Sequence, residues 1–211
     1  MRDGAESAAL RVMLNAHYIC SADKFLTAAI SDTAMLTSDA VGDFASFTAG
    51  IKSPALRAIA QHWNQARKQE QMPSWSDLSP AVIAPHLGLI WAFRYDRSKG
   101  EFTARLAGNR MMVACGKSFR GTPLRDLHSP AVFQHAQAGL MRVVSEPACG
   151  RSNGPLFRAD GKLTNGERIV MPLATDGEPD GAIGASDYKR SFVTAARDIE
   201  LIFDAVEWFM L

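Results

Sequence analysis

Apolar and polar positions along this chain follow two periods, and the points where one gives way to the other mark the elements. From Ser53-Pro54 onward, Leu56, Ile59, Ala60, Trp63 and Ala66 recur on one helical arc, while Arg57, Asn64, Gln65 and Lys68 face elsewhere. Serine offers an oxygen to the first free amides, and proline suits the first helical position because its missing N–H would be unpaired there. The spacing therefore predicts a helix over 54–70 that Met72-Pro73 stops. Ser79-Pro80 repeats the signal and opens a short helical turn before Pro85. Residues 87–93, carrying Ile90, Trp91 and Phe93, read as a buried strand. Over 101–107 the pattern alternates: Phe102, Ala104 and Leu106 point one way, and Glu101, Thr103 and Arg105 the other. That is the mark of a half-buried antiparallel strand, joined to its predecessor by a turn over 95–100. After Gly108-Asn109 comes a short apolar helix over 111–115, then a loop over 116–128.

A third Ser-Pro pair, Ser129-Pro130, opens a helix that Glu146-Pro147 closes. The last third is punctuated by Asp160-Gly161, Asn165-Gly166 and Asp176-Gly177, dipeptides that favour tight turns between antiparallel strands. Strands are predicted over 156–159, 167–174 and 182–188. Pro172 lacks a donor, so its strand should bulge or pair on one side only. Residues 194–211 are expected to close the chain as a helix. Ile199, Ile202, Phe203, Val206, Phe209 and Met210 form its apolar arc, widened by Leu201, Ala205 and Trp208. From Ile199 on, only Glu200, Asp204 and Glu207 stay polar, so the apolar span there is roughly 220°, against ~100° for a helix covered on one side. Its second cover is the 54–70 helix, residues 1–50 or another subunit. A dimer is preferred, which makes Leu201, Ala205, Trp208 and Phe209 interface candidates. Residues 1–50, rich in Ala, Ser, Thr and Asp, are expected to be an N-terminal extension of short helices or weak order.

Composition narrows the class. A chain of 211 residues, 47% of them hydrophobic, can bury a full core as one domain with an extension. Twenty-three basic against 22 acidic residues leave no global field to draw nucleic acid or an anionic membrane, and neither is expected as a partner. Cys20, Cys115 and Cys149 are odd in number and widely spaced, which favours a reduced, cytoplasmic setting over a disulfide framework. No apolar run nears the ~20 residues that span a bilayer, and no secretory signal is expected, since a basic patch followed by an uninterrupted apolar stretch is not found near residue 1.

Several segments taken in order carry a resemblance. Leu56 through Trp63, then Met72-Pro73-Ser74-Trp75-Ser76-Asp77 and Leu78-Ser79-Pro80 lead to Arg105-Leu106-Ala107-Gly108 and Gly121-Thr122-Pro123-Leu124. Glu167-Arg168-Ile169-Val170-Met171-Pro172-Leu173-Ala174 with Asp176-Gly177 follow. Their order and spacing resemble the alphaproteobacterial PAS-type family of unknown function over residues 51–190. The resemblance implies an α+β fold, a five-stranded antiparallel sheet with helices on one face, to which the hydrophobic pattern outside 51–190 adds N-terminal and C-terminal helices. It also implies a sensory or regulatory signalling module, without catalysis, around a space for a small ligand. Candidates to line that space are Ile90, Trp91, Phe102, Leu106, Met111, Met112, Phe133, Leu140 and Met171; the alternative is a close-packed core.

No reactive constellation competes with this reading. Light-sensing PAS relatives carry a flavin-reactive cysteine in Asn-Cys-Arg-Phe-Leu-Gln, whereas here the segment reads Asn109-Arg110-Met111-Met112-Val113-Ala114-Cys115. Cys115 is therefore read as a plain thiol. Haem-binding relatives place an axial ligand near His135, but here it lies roughly 120° from the helix's apolar arc and is read as solvated. His128 shares no helix face with it, and no Cys-x-x-Cys or His-x-x-x-His spacing points to a metal. Neither Gly-x-Ser-x-Gly nor Gly-Lys-Ser/Thr occurs. No cofactor is expected. The expected partners are a small apolar ligand and a second copy of the chain or a regulatory protein. The alternative is an interaction adaptor without a small ligand, using the C-terminal helix as its contact surface.

Overall fold

The computed structural model describes residues 42–115, 119–159, 162–188, 199–202 and 206–211. Five helices appear among them: α1 (Phe44–Ala49), α2 (Pro54–Ala66), α3 (Pro80–Ile83), α4 (Asn109–Cys115) and α5 (Pro130–Ser145). Seven strands, β1 (Ile90–Asp96), β2 (Glu101–Ala107), β3 (Ala148–Ala159), β4 (Lys162–Thr175), β5 (Glu178–Tyr188), β6 (Ile199–Leu201) and β7 (Glu207–Met210), form one sheet. Its order is β2-β1-β5-β4-β3-β6, with β7 also on β3, and every pairing is antiparallel. The α+β class and antiparallel layer are as expected. Among the described residues, no helix is long and apolar enough to cross a membrane.

Both faces of the sheet are dry. On one, Ile90, Cys149, Ile169, Met171, Leu173, Ile183 and Phe209 pack against Phe47, Leu56, Ile59 and Trp63 of α1 and α2. On the other, Trp91, Phe93, Phe102, Val170, Ala182 and Trp208 pack against Met111 of α4 and Leu140, Val143 and Val144 of α5. Neighbours along one strand thus alternate between two cores, which the two-residue pleat requires. Helices therefore cover both faces, where one covered face was expected. The leading helix sits on the face opposite α4 and α5.

Local rules explain the helix starts. The Ser53 hydroxyl accepts from the Leu56 amide at 3.3 Å, with Pro54 beside it. Glu167 of β4, 5% exposed, reaches the same end of α2 and accepts from the Lys52 and Ser53 amides at 2.9 and 2.7 Å. Trp63 donates its indole N–H to the Pro172 carbonyl at 2.8 Å, so α2 is bonded to β4 at both ends. Pro172 itself pairs with Ala182 of β5, the β3–β4 pairing having ended at Gly150 and Val170, and a bulge follows between Leu173 and Ala174. Asp176 and Gly177 turn β4 into β5 with φ of 51° and 79°, the left-handed pair that a tight hairpin needs.

Four expectations are corrected. The terminal helix over 194–211 is not formed where the chain is described: residues 199–201 and 207–210 are strands on β3. A strand between two dry faces is apolar on both sides, and that is what the wide apolar span encoded. Trp208 and Phe209, 7% and 1% exposed, point into opposite cores, so their side chains fill the protein's own interior where a contact surface was expected. Leu201 lies in β6, and Ala205 lies outside the described residues. The sheet has seven strands, because β6 and β7 extend the expected five. Asn165-Gly166 runs inside β4 opposite Pro155 and Gly154, where β3 is bulged, so it makes no turn. Within the N-terminal stretch, α1 is ordered and buries Phe47 completely, and residues 1–41 lie outside the described residues. Arg151 of β3 holds α1 in place, donating to the Phe47 carbonyl at 2.8 Å and pairing with Glu207 of β7.

Two predictions follow from how α2 is tied down. Glu167→Gln replaces a charged double acceptor with a single neutral one, and urea unfolding should register a loss of about 1.5–3 kcal/mol. An unchanged midpoint would show that the cap is not a fixed contact. His62 of α2 accepts from the Ser79 amide at 3.0 Å through Nε2, and burial holds its pKa below the ordinary value. A depressed histidine favours its neutral form in the folded chain, so the unfolded chain binds more protons. This contribution is present above the ordinary value of 6.5 and is lost as pH falls below it. Melting temperature should thus drop between neutral and mildly acidic pH, and less in His62→Gln, which keeps an acceptor without titrating.

Candidate functional site

The face under α4 and α5 brings buried aromatic rings and buried polar groups together. Its floor is β1, β5 and β4, and its wall is aromatic: Trp91 sits 6.0 Å from Phe93 edge-on, Tyr95 lies 4.6 Å from Phe102, and Phe157 meets Tyr188 edge-on at 4.6 Å. Polar atoms lie buried among them. Ser186 is fully buried, and its Oγ accepts from Trp91 Nε1 at 3.2 Å and from Arg168 Nε at 3.3 Å. Arg168, 7% exposed, also donates from Nη1 to the Ile202 carbonyl at 2.9 Å. Carrying a guanidinium into an apolar interior is costly unless its donors are met, so a seryl oxygen and a carbonyl aimed at it mark a deliberate polar anchor.

The strand pattern places these groups. Arg168 and Ser186 are opposite each other in the β4–β5 register, and Trp91 lies across from Gly184 on β1. A Cβ built on Gly184 would come within 2.2 Å of the Trp91 ring. Glycine there lets the indole lie flat on the sheet and reach Ser186, so its purpose is close approach and no bulge occurs at that point. The roof is locked independently. Arg110 at the start of α4 pairs with Asp187 at 3.2 Å and donates to the Tyr188 carbonyl at 2.6 Å, while the Tyr188 hydroxyl donates to the Arg110 carbonyl at 2.7 Å.

The nine residues expected to line one interior divide between the two cores. Trp91, Phe102, Met111 and Leu140 are buried under α4 and α5, with Phe133 half-buried at the edge and Met112 half-buried on α4. Ile90 and Met171 are buried on the opposite face beneath α2, with Leu106 packed at its margin. For Ile90 and Met171 the cause is strand parity. Leu106 is moved by a bulge: Ala92 faces Leu106 and Phe93 faces Ala104, so Arg105 is an extra residue that sends Leu106 to the other side. Arg168 and Ser186 were missed. Their signal was available, as a charge and a hydroxyl inside runs otherwise apolar on both faces.

His135 is exposed and bonded to the Ala131 carbonyl of its own helix at 2.9 Å. Cys149 is buried, and burial pushes its thiol pKa far up, so it holds no reactive thiolate at neutral pH. Among the described residues, no three His, Cys, Asp or Glu side chains converge on a common point as a metal would require.

A family model described as "PAS domain" matches residues 51–186. No curated protein matches this chain. A solved structure of an RNA-binding Light-Oxygen-Voltage receptor is similar over 47% of this chain, with 16% identity and a TM-score of 0.33. The chain covers 29% of that receptor's length.

Removing the shared acceptor tests the polar anchor. Ser186→Ala leaves the Trp91 indole N–H and the Arg168 Nε facing apolar surroundings, which should cost about 1–3 kcal/mol in chemical denaturation and shift Trp91 fluorescence. If stability and emission are both unchanged, the three groups do not act as a unit.

Proposed function

Because the chain belongs to the PAS domain family, we propose that it is a sensory or regulatory module, without chemistry of its own, whose input is a small ligand held under α4 and α5. The observation that carries this reading is the buried Trp91–Ser186–Arg168 anchor within an otherwise apolar, aromatic wall. Binding sites for small molecules combine a mostly apolar lining with a few fixed polar groups that set orientation. Here the lining suits an apolar or aromatic body, and a polar group on it would take the place of Ser186 or the Ile202 carbonyl among the acceptors that Trp91 and Arg168 now meet.

Signal transmission follows from linkage. A ligand shifts the module only by binding one arrangement of α4 and α5 better than another. The Arg110–Asp187–Tyr188 lock between α4 and β5 is the contact best placed to sense such a change, since it joins the roof to the floor. The output is a contact with a second copy of the chain or with a regulatory protein. The adaptor alternative loses its motive, because the apolar terminal residues Trp208 and Phe209 are spent on the two cores.

The first test is the absorbance spectrum and native mass of protein purified without denaturation, followed by thermal shifts with aromatic acids, nucleotides and haem. A retained molecule, or a saturable stabilisation that Arg168→Met abolishes, supports the reading. No retained molecule and no shift with any of them would remove the ligand from it.

A further inference from the structure

On the opposite face of the hairpin, away from the anchor, three arginines gather with no carboxylate paired to them among the described residues. Arg94 of β1 stands across from Thr103 of β2, and the bulge that displaces Leu106 leaves Arg105 beside them. Ala104 exchanges hydrogen bonds with Gly121 and Thr122 at 2.7 and 3.0 Å, which brings Arg120 to the same strand edge. Arg94, Asp96, Thr103, Ala104 and Arg105 line a groove of about 400 Å³. Arg94, Arg105 and Arg120 are all exposed, and among the described residues none makes a hydrogen bond or ion pair to an acid, whereas Arg97, Arg110, Arg125, Arg142 and Arg151 all have carboxylates.

The cluster is organised as well as charged. The Arg105 guanidinium lies 4.4 Å from the centre of the Trp75 ring, a cation–π contact that restrains it where it lines the groove. Partial burial and the neighbouring charges of Arg94 and Arg120 hold its pKa below the usual value, with Asp180 opposing the trend. Asp96, the acid in the groove, is already engaged: it accepts from the Ser98 amide and hydroxyl at 3.0 and 2.6 Å and pairs with Lys99 at 3.4 Å. Asp180 accepts from the Thr175 hydroxyl at 2.7 Å. Three mutually repelling cations around a concave surface are relieved by an anion that meets all of them.

We propose that this groove binds a small multivalent anion, a phosphorylated or polycarboxylate metabolite, through the forks of Arg94 and Arg105 with Arg120 at the rim. Planar guanidinium forks match pairs of phosphate or carboxylate oxygens, and Thr103 adds a hydroxyl on the same face. The volume admits an organic body larger than inorganic phosphate. As the groove lies on the sheet face opposite the α4–α5 interior, its occupancy and that of the anchor succeed or fail separately.

Titration calorimetry of the full chain with pyrophosphate and with citrate, at constant ionic strength, tests this. Saturable binding by at least one of them is expected, weakened about tenfold or more by Arg94→Gln and by Arg105→Gln, and unchanged in Arg97→Gln. Arg105→Lys, which keeps the charge but loses the fork, should fall between. Absence of saturable binding by both anions, or equal binding by the glutamine variants with intact circular dichroism, would overturn the proposal. A single-stranded RNA dodecamer bound more tightly than either anion, with the same arginine dependence, would overturn it too, since the groove would then follow a nucleic-acid backbone.

Discussion

The fold depends on keeping water from both faces of one antiparallel sheet. A single sheet of seven strands has two surfaces to bury, and this chain supplies a separate cover for each: α1, α2 and α3 on one side, α4 and α5 on the other. Everything else follows from that division. Strand neighbours such as Ile169 and Val170, or Trp208 and Phe209, must both be apolar because each enters a different core. The connections that hold the covers are polar and local: Glu167 caps α2, Trp63 reaches the Pro172 carbonyl, and Arg110 clips α4 to β5. Buried groups of this kind contribute specificity of placement more than raw stability, because each must first be desolvated.

Much of this was legible where a local rule decides the outcome. Ser53-Pro54 and Ser129-Pro130 open α2 and α5, Pro172 pairs on one side, and Asp176-Gly177 turns the last hairpin. The failures share one cause. A strand buried on both faces and a helix buried all round are equally apolar, so Trp208-Phe209 read as helix until β3 offered them an edge. Leu106 was misplaced because nothing in the alternation announces the extra residue at Arg105. Asn165-Gly166 has the composition of a turn, yet tertiary pairing with β3 carries the strand through it.

The candidate site was half legible. Trp91, Phe102, Met111 and Leu140 share the α4–α5 interior, because each is apolar on a face the helices cover. Hydrophobicity alone could not separate them from Ile90 and Met171, which belong to the other core by parity. Arg168 and Ser186, the groups that give the interior its direction, escaped because a polar residue in a strand reads as solvent-facing by default. Only the doubly covered sheet makes their inward position a necessity.

Amide hydrogen exchange across residues 207–210 bears most directly on the doubly covered sheet. If β7 is a true member, with the Met210 amide bonded to the Gly42 carbonyl at 3.1 Å and its strand paired to β3, these amides should exchange as slowly as those of β3 and β4. Exchange at the rate of an unstructured terminus would mean that Trp208 and Phe209 do not seal the two cores, and the account of the fold would fail with them.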